Sequence, residues 1–436
     1  MVREDTAAAS RTLGVLEAVF GERYLRDFDV RLWDGTVRPS KTARRDFVFC
    51  INSPGALRNA FAPPVDLNAG AAFVDGSLDI EGDLCAAFAL MNAANADRTA
   101  LQTARIALLL AQLPRESRPV QPHPHLNGKR HSRERDRAAI SYHYDHPVEF
   151  YASFLDRDLV YSCAYYDDGI EDLGDAQSAK LNHVLRKLRL APGMRFLDIG
   201  CGWGSLVIRA AQNGADALGI TLSSVQHETA NRRIEELGLS DRARVELLDY
   251  RELQGAVFDR IASIGMVEHV GRTHLPEYFS CAFAALRPGG LFLNHGIAEQ
   301  SPGRKYQPNG FIDRYVFPDG DLQCVGDILG IAERQGFEVR DVENLREHYA
   351  RTLRAWTANI DRNRETAEAH GGLAAYRIWR LYMAASAVNF EAANIAVFQS
   401  LLAKPDVNGA VDIPMTRRDL YDDLDSVRAS TSVSCG

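Results

Sequence analysis

A chain of 436 residues exceeds one ordinary domain and predicts two or three compact units with a sizeable core. Hydrophobic residues at 46% and charged residues at 25% exclude a wholly disordered, collagen-like or coiled-coil chain. A formal net charge of -8 gives no general basic footprint, so nucleic acid is not expected as a partner and any anionic partner has to meet a local patch.

The polar start Met1-Val2-Arg3-Glu4-Asp5-Thr6 carries no apolar stretch of the kind that makes a secretory signal. No run reaches the roughly 18 apolar residues that span a bilayer, and the longest candidate, Ile106 to Leu113, reads as part of a buried helix. Seven cysteines, at Cys50, Cys85, Cys163, Cys201, Cys281, Cys324 and Cys435, lack the paired spacings of a zinc site or a disulfide scaffold. A reducing, cytoplasmic protein without a metal site is the expectation.

Residues 1–113 mix strand-like runs such as Asp46-Phe47-Val48-Phe49-Cys50-Ile51 with helical ones such as residues 86–93, and Asn52-Ser53-Pro54-Gly55 breaks the chain between them. They predict a small α+β domain. Residues 114–139 hold few apolar side chains and read as a charged linker. The basic excess from Lys129 to Arg137 is a place where anionic lipid head groups could be met; a charged linker without a partner is the plainer reading.

Residues 140–403 alternate helices with short apolar strands, predicted at residues 195–199, 217–221, 244–248, 260–264 and 291–295, with helices over 224–237 and 278–286. That alternation predicts an α/β fold with a doubly wound, mostly parallel sheet. Residues 404–436 form a polar tail.

After the first of these strands stands Leu197-Asp198-Ile199-Gly200-Cys201-Gly202-Trp203-Gly204-Ser205, where an open sheet binds its ligand. Its Gly-x-Gly-x-Gly spacing differs from the dinucleotide fingerprint, and no phosphate-cradling Gly-Lys-Ser/Thr occurs in it. With an acid two positions before the first glycine, the loop resembles the S-adenosylmethionine loop of class I methyltransferases. The second strand ends in Gly219-Ile220-Thr221-Leu222-Ser223-Ser224-Val225-Gln226, which offers Thr, Ser and Gln where most methyltransferases place an acid.

Together with Gly265-Met266-Val267-Glu268-His269-Val270-Gly271 and Tyr161-Ser162-Cys163-Ala164-Tyr165-Tyr166, these motifs resemble the cyclopropane-fatty-acyl-phospholipid synthase family, whose relatives include mycolic acid cyclopropane synthases. The motifs run from His143 to Tyr349 and continue more weakly to Tyr421. The run Ala71-Ala72-Phe73-Val74-Asp75-Gly76-Ser77-Leu78-Asp79-Ile80-Glu81-Gly82-Asp83 is similar to the family's small amino-terminal domain, which helps engage lipid.

The resemblance implies a class I methyltransferase Rossmann-like sheet with helical lipid-binding additions. It also implies transfer of a methyl group from S-adenosylmethionine to a cis double bond of a membrane phospholipid acyl chain, followed by ring closure. An alkene is a weak nucleophile and its attack leaves a carbocation, so the pocket has to be dry and aromatic; Tyr165, Tyr166, Tyr315, Phe317 and Tyr349 are candidate liners. The resemblance further implies that bound bicarbonate removes the proton, held by Cys163, Glu268, His295, Ile297 and Tyr349. Read singly, Cys163 is a small buried hydrophobe, Glu268 a cap for a helix starting near His274, His295 a strand-end histidine and Tyr349 an amphipathic surface residue. Their joint recurrence inside matching motifs favours the anion cage.

Tyr161 and Ser162 are assigned to the methionine part of S-adenosylmethionine, and Asp198, Gly200, Cys201 and Gly202 to its loop. Thr221, Leu222 and Gln226 are assigned to ribose and adenine, with Asp249 and Tyr250 beside the ring. Trp203 either stacks on the ligand or packs in the core. Helices over residues 376–402 are expected as the wall of an acyl tunnel or as packing against the sheet. The family implies a homodimer that docks on the inner face of the membrane. Departures at His146-Pro147-Val148-Glu149, Gln323-Cys324 and Gly296, a position often Thr, bear on chain selectivity and product. Two alternatives stay open: a methyltransferase making a methylene-branched acyl chain or acting on another alkene, and a non-enzymatic lipid-binding protein.

Overall fold

The computed structural model describes residues 2–42, 45–96, 98–117, 126–253, 255–300 and 310–420. Part of the linker read over 114–139, and Tyr421, Cys435 and most of the tail, lie outside the described residues. Contacts group the chain into two compact units built from interleaved segments. One comprises Met1–Leu126, Gln307–Pro318 and Leu353–Ala392; the other comprises Asn127–Tyr306, Asp319–Thr352 and Ala393–Gly436.

The first unit is α+β. Strands β1 (Asp29–Leu32), β2 (Val37–Arg38), β3 (Phe47–Ile51) and β4 (Leu78–Gly82) form a sheet in the order β2-β1-β3-β4, with β1 and β3 parallel. The late helix Arg364–Glu391 belongs to this unit. Its Arg380, 6% exposed, donates to the carbonyls of Ile80 at 3.1 Å and Gly82 at 3.0 Å, and its Nε bonds Asp361 at 2.6 Å. A guanidinium brought into a core needs such partners, because an unpaired buried charge costs several kcal/mol. Gly70 is required for packing here: a Cβ would lie 2.1 Å from the Phe311 ring.

The second unit is α/β. Strands β5 (Arg195–Ile199), β6 (Asp216–Thr221), β7 (Ala243–Leu247), β8 (Phe258–Ile264), β9 (Leu286–Glu299), β10 (Glu338–Asn344) and β11 (Ile395–Ala403) pair in the order β10-β11-β9-β8-β5-β6-β7. Only β11 runs against the rest of this sheet. Helices cover both faces, so successive residues of β5 enter different cores: Phe196 joins Val184, Val207 and Ala230, whereas Leu197 joins Ile261, Phe279 and Phe292. Strands buried on both faces read as the continuous apolar runs seen in the sequence.

The helical expectation for residues 376–402 is corrected at its end. The helix stops at Glu391, Ala393 adopts a left-handed φ of 56°, and Ile395–Ala403 forms β11, pairing Val397 with Ile297 and Gln399 with His295. An apolar run of that length fits a buried strand and a buried helix equally in periodicity, and sheet pairing decides between them.

Candidate active site

The glycine loop follows from the strand-turn-helix geometry. Gly200, Gly202 and Gly204 have φ of 77°, 54° and 82°, a region that side chains with a Cβ rarely occupy. A Cβ on Gly200 would also lie 2.7 Å from Met266. The N–H groups of Gly200 and Cys201 both donate to the Ile220 carbonyl at 3.0 Å, tying the loop to β6. At the end of β6, Thr221 Oγ1 donates to Gln226 Oε1 at 2.8 Å, and Ser223 caps the next helix by accepting the Gln226 N–H at 3.2 Å. Ser223 Oγ donates in turn to Asp145 at 2.7 Å.

These strand ends surround a cleft. Tyr161, Ser162, Asp198, Gly200, Cys201, Gly202, Thr221, Leu222, Gln226 and Tyr250 all line it. Asp249 does not: it is 4% exposed, and its carboxylate accepts Arg251 Nε at 2.8 Å and Nη2 at 2.6 Å. Arg251, which does line the cleft, also bonds Asp136 at 3.1 Å. Trp203 lines the cleft, and its ring packs 4.6 Å from that of Tyr151.

Two charges are buried in the cleft wall. Burial pushes the Asp198 carboxyl up to about 7 against the pull of Lys180, and its Oδ1 has no hydrogen-bond partner among the described residues. Burial lowers the Lys180 ammonium to about 8, and its Nζ donates to Ser162 Oγ at 3.0 Å. Lys180, Arg251, Met266 and His269 are cleft residues that sequence reasoning did not assign. Met266 and His269 stood inside a quoted motif; Lys180 carries no local signal that separates it from a solvated helix lysine.

The five residues expected to hold an anion occupy neighbouring elements. Glu268 lies on the short helix Val267–Val270 after β8, His295 and Ile297 on β9, Cys163 in the loop before the helix Leu173–Lys187, and Tyr349 on the helix Arg346–Arg362. All but Ile297 and Glu268 are under 9% exposed, so Tyr349 is a buried residue rather than a surface one. Glu268 Oε1 accepts the Ile297 N–H at 2.6 Å. Leu345 joins the group through its backbone, donating to the Val397 carbonyl at 2.8 Å and accepting the Cys163 thiol at 3.8 Å.

Protonation in this group is set by burial. It pushes the Glu268 carboxyl up to about 7, against the lowering pull of the Ile297 N–H, and raises the Cys163 thiol well above its ordinary value. It lowers the His295 imidazole to about 3, so that side chain is neutral. Gln399 Nε2 lies 3.2 Å from His295 Nδ1; with the amide donating, the imidazole proton sits on Nε2. Glu268 Oε2 and His295 Nε2 are both buried with no hydrogen-bond partner among the described residues. A protonated carboxyl and an imidazole N–H are neutral donors and suit an anion. Gly296 between the two strand residues is forced, since a Cβ there would lie 2.2 Å from Val267.

Two of the expected aromatic liners are committed elsewhere. The Tyr165 ring stacks on His183 at 4.3 Å and on His348 at 4.8 Å, and two near-parallel rings at those distances need opposite faces. Arg351 covers Tyr166 at 4.2 Å. Both faces of the Tyr165 ring are therefore taken, and one face of Tyr166. Tyr315 and Phe317 fall in the first unit, packed on Phe311 and Tyr382.

The family model for mycolic acid cyclopropane synthetase matches residues 131–400. A Pseudomonas putida protein named "Probable fatty acid methyltransferase" is 38% identical over 400 residues, covering 90% of this chain and 95% of that one. The cyclopropane-fatty-acyl-phospholipid synthase of Escherichia coli (strain K12) is 36% identical over 268 residues, 61% of this chain and 68% of the relative. Among solved structures, mycolic acid cyclopropane synthase CmaA1 complexed with SAH and CTAB superposes with a TM-score of 0.57 at 32% identity, covering 62% of this chain and 98% of that one.

Proposed function

Because the chain belongs to the mycolic acid cyclopropane synthetase family, we propose that it transfers a one-carbon unit from S-adenosylmethionine to the cis double bond of a phospholipid acyl chain and closes a cyclopropane ring. The observation that carries this reading is the pair of buried polar atoms on Glu268 and His295 that have no hydrogen-bond partner among the described residues, within the same unit as the glycine-loop cleft. Transfer breaks the sulfur–methyl bond and forms a carbon–carbon bond, leaving S-adenosylhomocysteine and a carbocation on the acyl chain. Loss of one proton from the transferred methyl then lets the second bond of the ring form.

The chain's own residues divide this work. The glycine loop lets backbone approach the donor, while Thr221 and Gln226, preset by their mutual hydrogen bond, meet its ribose. Buried apolar walls keep water from the cation. Bicarbonate bound beside Glu268 would supply a weak base, which suffices for so acidic a cation. Glu268 in its protonated form, with His295 as an Nε2–H donor, would orient it without the repulsion that an ionised carboxylate would exert. In this reading residues 1–113 engage lipid, and the protein, working as a homodimer, visits the membrane surface to collect its substrate.

A second reading, a methylene-branched product made from a fatty acyl chain, takes up the name of the Pseudomonas putida relative, a probable fatty acid methyltransferase. One experiment separates the two. The purified protein is given methyl-labelled S-adenosylmethionine with unsaturated phospholipid vesicles or with free unsaturated fatty acid, and released fatty acids are analysed by gas chromatography and mass spectrometry before and after hydrogenation. A cyclopropane product resists mild alkene hydrogenation and forms on the vesicles. An exocyclic alkene of equal mass takes up hydrogen and supports the second reading, and label in neither lipid overturns both.

A further inference from the structure

Lys180 lies in the middle of the helix Leu173–Lys187, 1% exposed, and lines the cleft. An ammonium has three protons to donate. One goes to Ser162 Oγ at 3.0 Å, and no carboxylate forms an ion pair with it among the described residues. The charged or titratable groups that act on it are Asp156, Cys163, Asp198 and His295. Asp156 is committed, accepting the backbone N–H groups of Asp158 at 3.0 Å and Val160 at 2.9 Å. The Cys163 thiol and the His295 imidazole are neutral. Asp198, which lines the same cleft, keeps one oxygen without a partner among the described residues.

One wall therefore holds a buried cation with two unused donors and a buried carboxyl with one unused acceptor, not paired to each other. Burying such groups without a ligand costs free energy. The amino-acid end of S-adenosylmethionine carries the complementary zwitterion. We propose that Lys180 binds the α-carboxylate of the donor's methionine moiety, oriented by Ser162, with Asp198 facing the α-ammonium. This rests on reading the cleft as the S-adenosylmethionine site.

The test is calorimetric titration of the wild type and Lys180→Met with S-adenosylhomocysteine, with its decarboxylated analogue, and with methylthioadenosine, which lacks the amino-acid end. In the wild type, removing the carboxylate is expected to weaken binding about 10- to 100-fold. Lys180→Met is expected to lose a similar factor for S-adenosylhomocysteine and almost none for the two other compounds. Equal weakening of all three by the variant, or none, assigns Lys180 a purely structural role and overturns the proposal. Should the variant not fold, the wild type decides. At about pH 8.5, where Lys180 is partly neutral and Asp198 already ionised, S-adenosylhomocysteine should take up protons on binding and the decarboxylated analogue should not. No difference in uptake overturns the proposal. Failure of the wild type to bind any of the three compounds instead removes the cofactor reading itself.

Discussion

At the scale of single residues, Glu268 is the sharpest case. A carboxyl held at about 7 by burial contributes stability that is present below its unfolded value near 4.5 and is lost as pH rises through 7. Glu268→Gln keeps an oxygen for the Ile297 N–H and removes the titration. Melting curves of the variant and wild type should therefore coincide near pH 4.5 and separate in the variant's favour up to about pH 8, by about 3 kcal/mol at most. Turnover should fall by about 100-fold with donor affinity unchanged, measured by labelled-methyl transfer beside titration of S-adenosylhomocysteine. A variant that loses donor affinity as well is out of line with a role confined to the anion group. Legibility at this scale follows locality. Thr221, Gln226 and the loop glycines sit within a few positions of their partners, inside the short motifs that carry the family resemblance, so local sequence exposed them. Lys180 meets Ser162 only because a helix and a loop pack together, and Tyr165, expected to line the acyl site, is enclosed by His183 and His348 from distant chain.

At the scale of elements, the basic run Lys129 to Arg137 changes meaning. Arg130 and Arg135 both engage Asp319, Arg135 with two contacts at 2.5 and 3.0 Å, while Arg133 pairs with Glu252 and Asp136 with Arg251. Three of the run's arginines thus hold partners within the fold. The helix Arg133–Tyr144 that they fix brings Asp136, Ile140 and Tyr144 to the cleft. Asp319 has a φ of 65°, which Asn tolerates well, so Asp319→Asn isolates the charge. Breaking the two-contact pair should speed amide exchange across residues 133–144 and weaken S-adenosylhomocysteine binding by about 5- to 30-fold. Unchanged exchange would show that the arginines do not hold the helix. The strands of the parallel sheet were legible because each is a short apolar run before a loop. β10 and β11 were not: β10 is an edge strand with alternating polar residues, and β11 follows a long helix with no Gly or Pro to mark the change.

At the scale of the whole molecule, no helix among the described residues is long and apolar enough to cross a membrane. The α/β class and its parallel order were legible from periodicity, whereas the grouping of segments was not, because spatial assignment depends on side-chain partners hundreds of positions apart. The interleaving bears on synthesis. Arg380, which satisfies the carbonyls of Ile80 and Gly82, is added to the growing chain 300 and 298 residues after them. Residues 1–126 leave the ribosome first yet lack the pieces 307–318 and 353–392 that complete their core. Expressed alone, that leading fragment should be cut rapidly by protease and show no cooperative melting, while the full chain resists. A nascent chain of this protein is thus committed to a long wait in which its earliest strands stay unfinished, and slowing elongation past residue 126 should raise its demand for chaperones rather than help it fold.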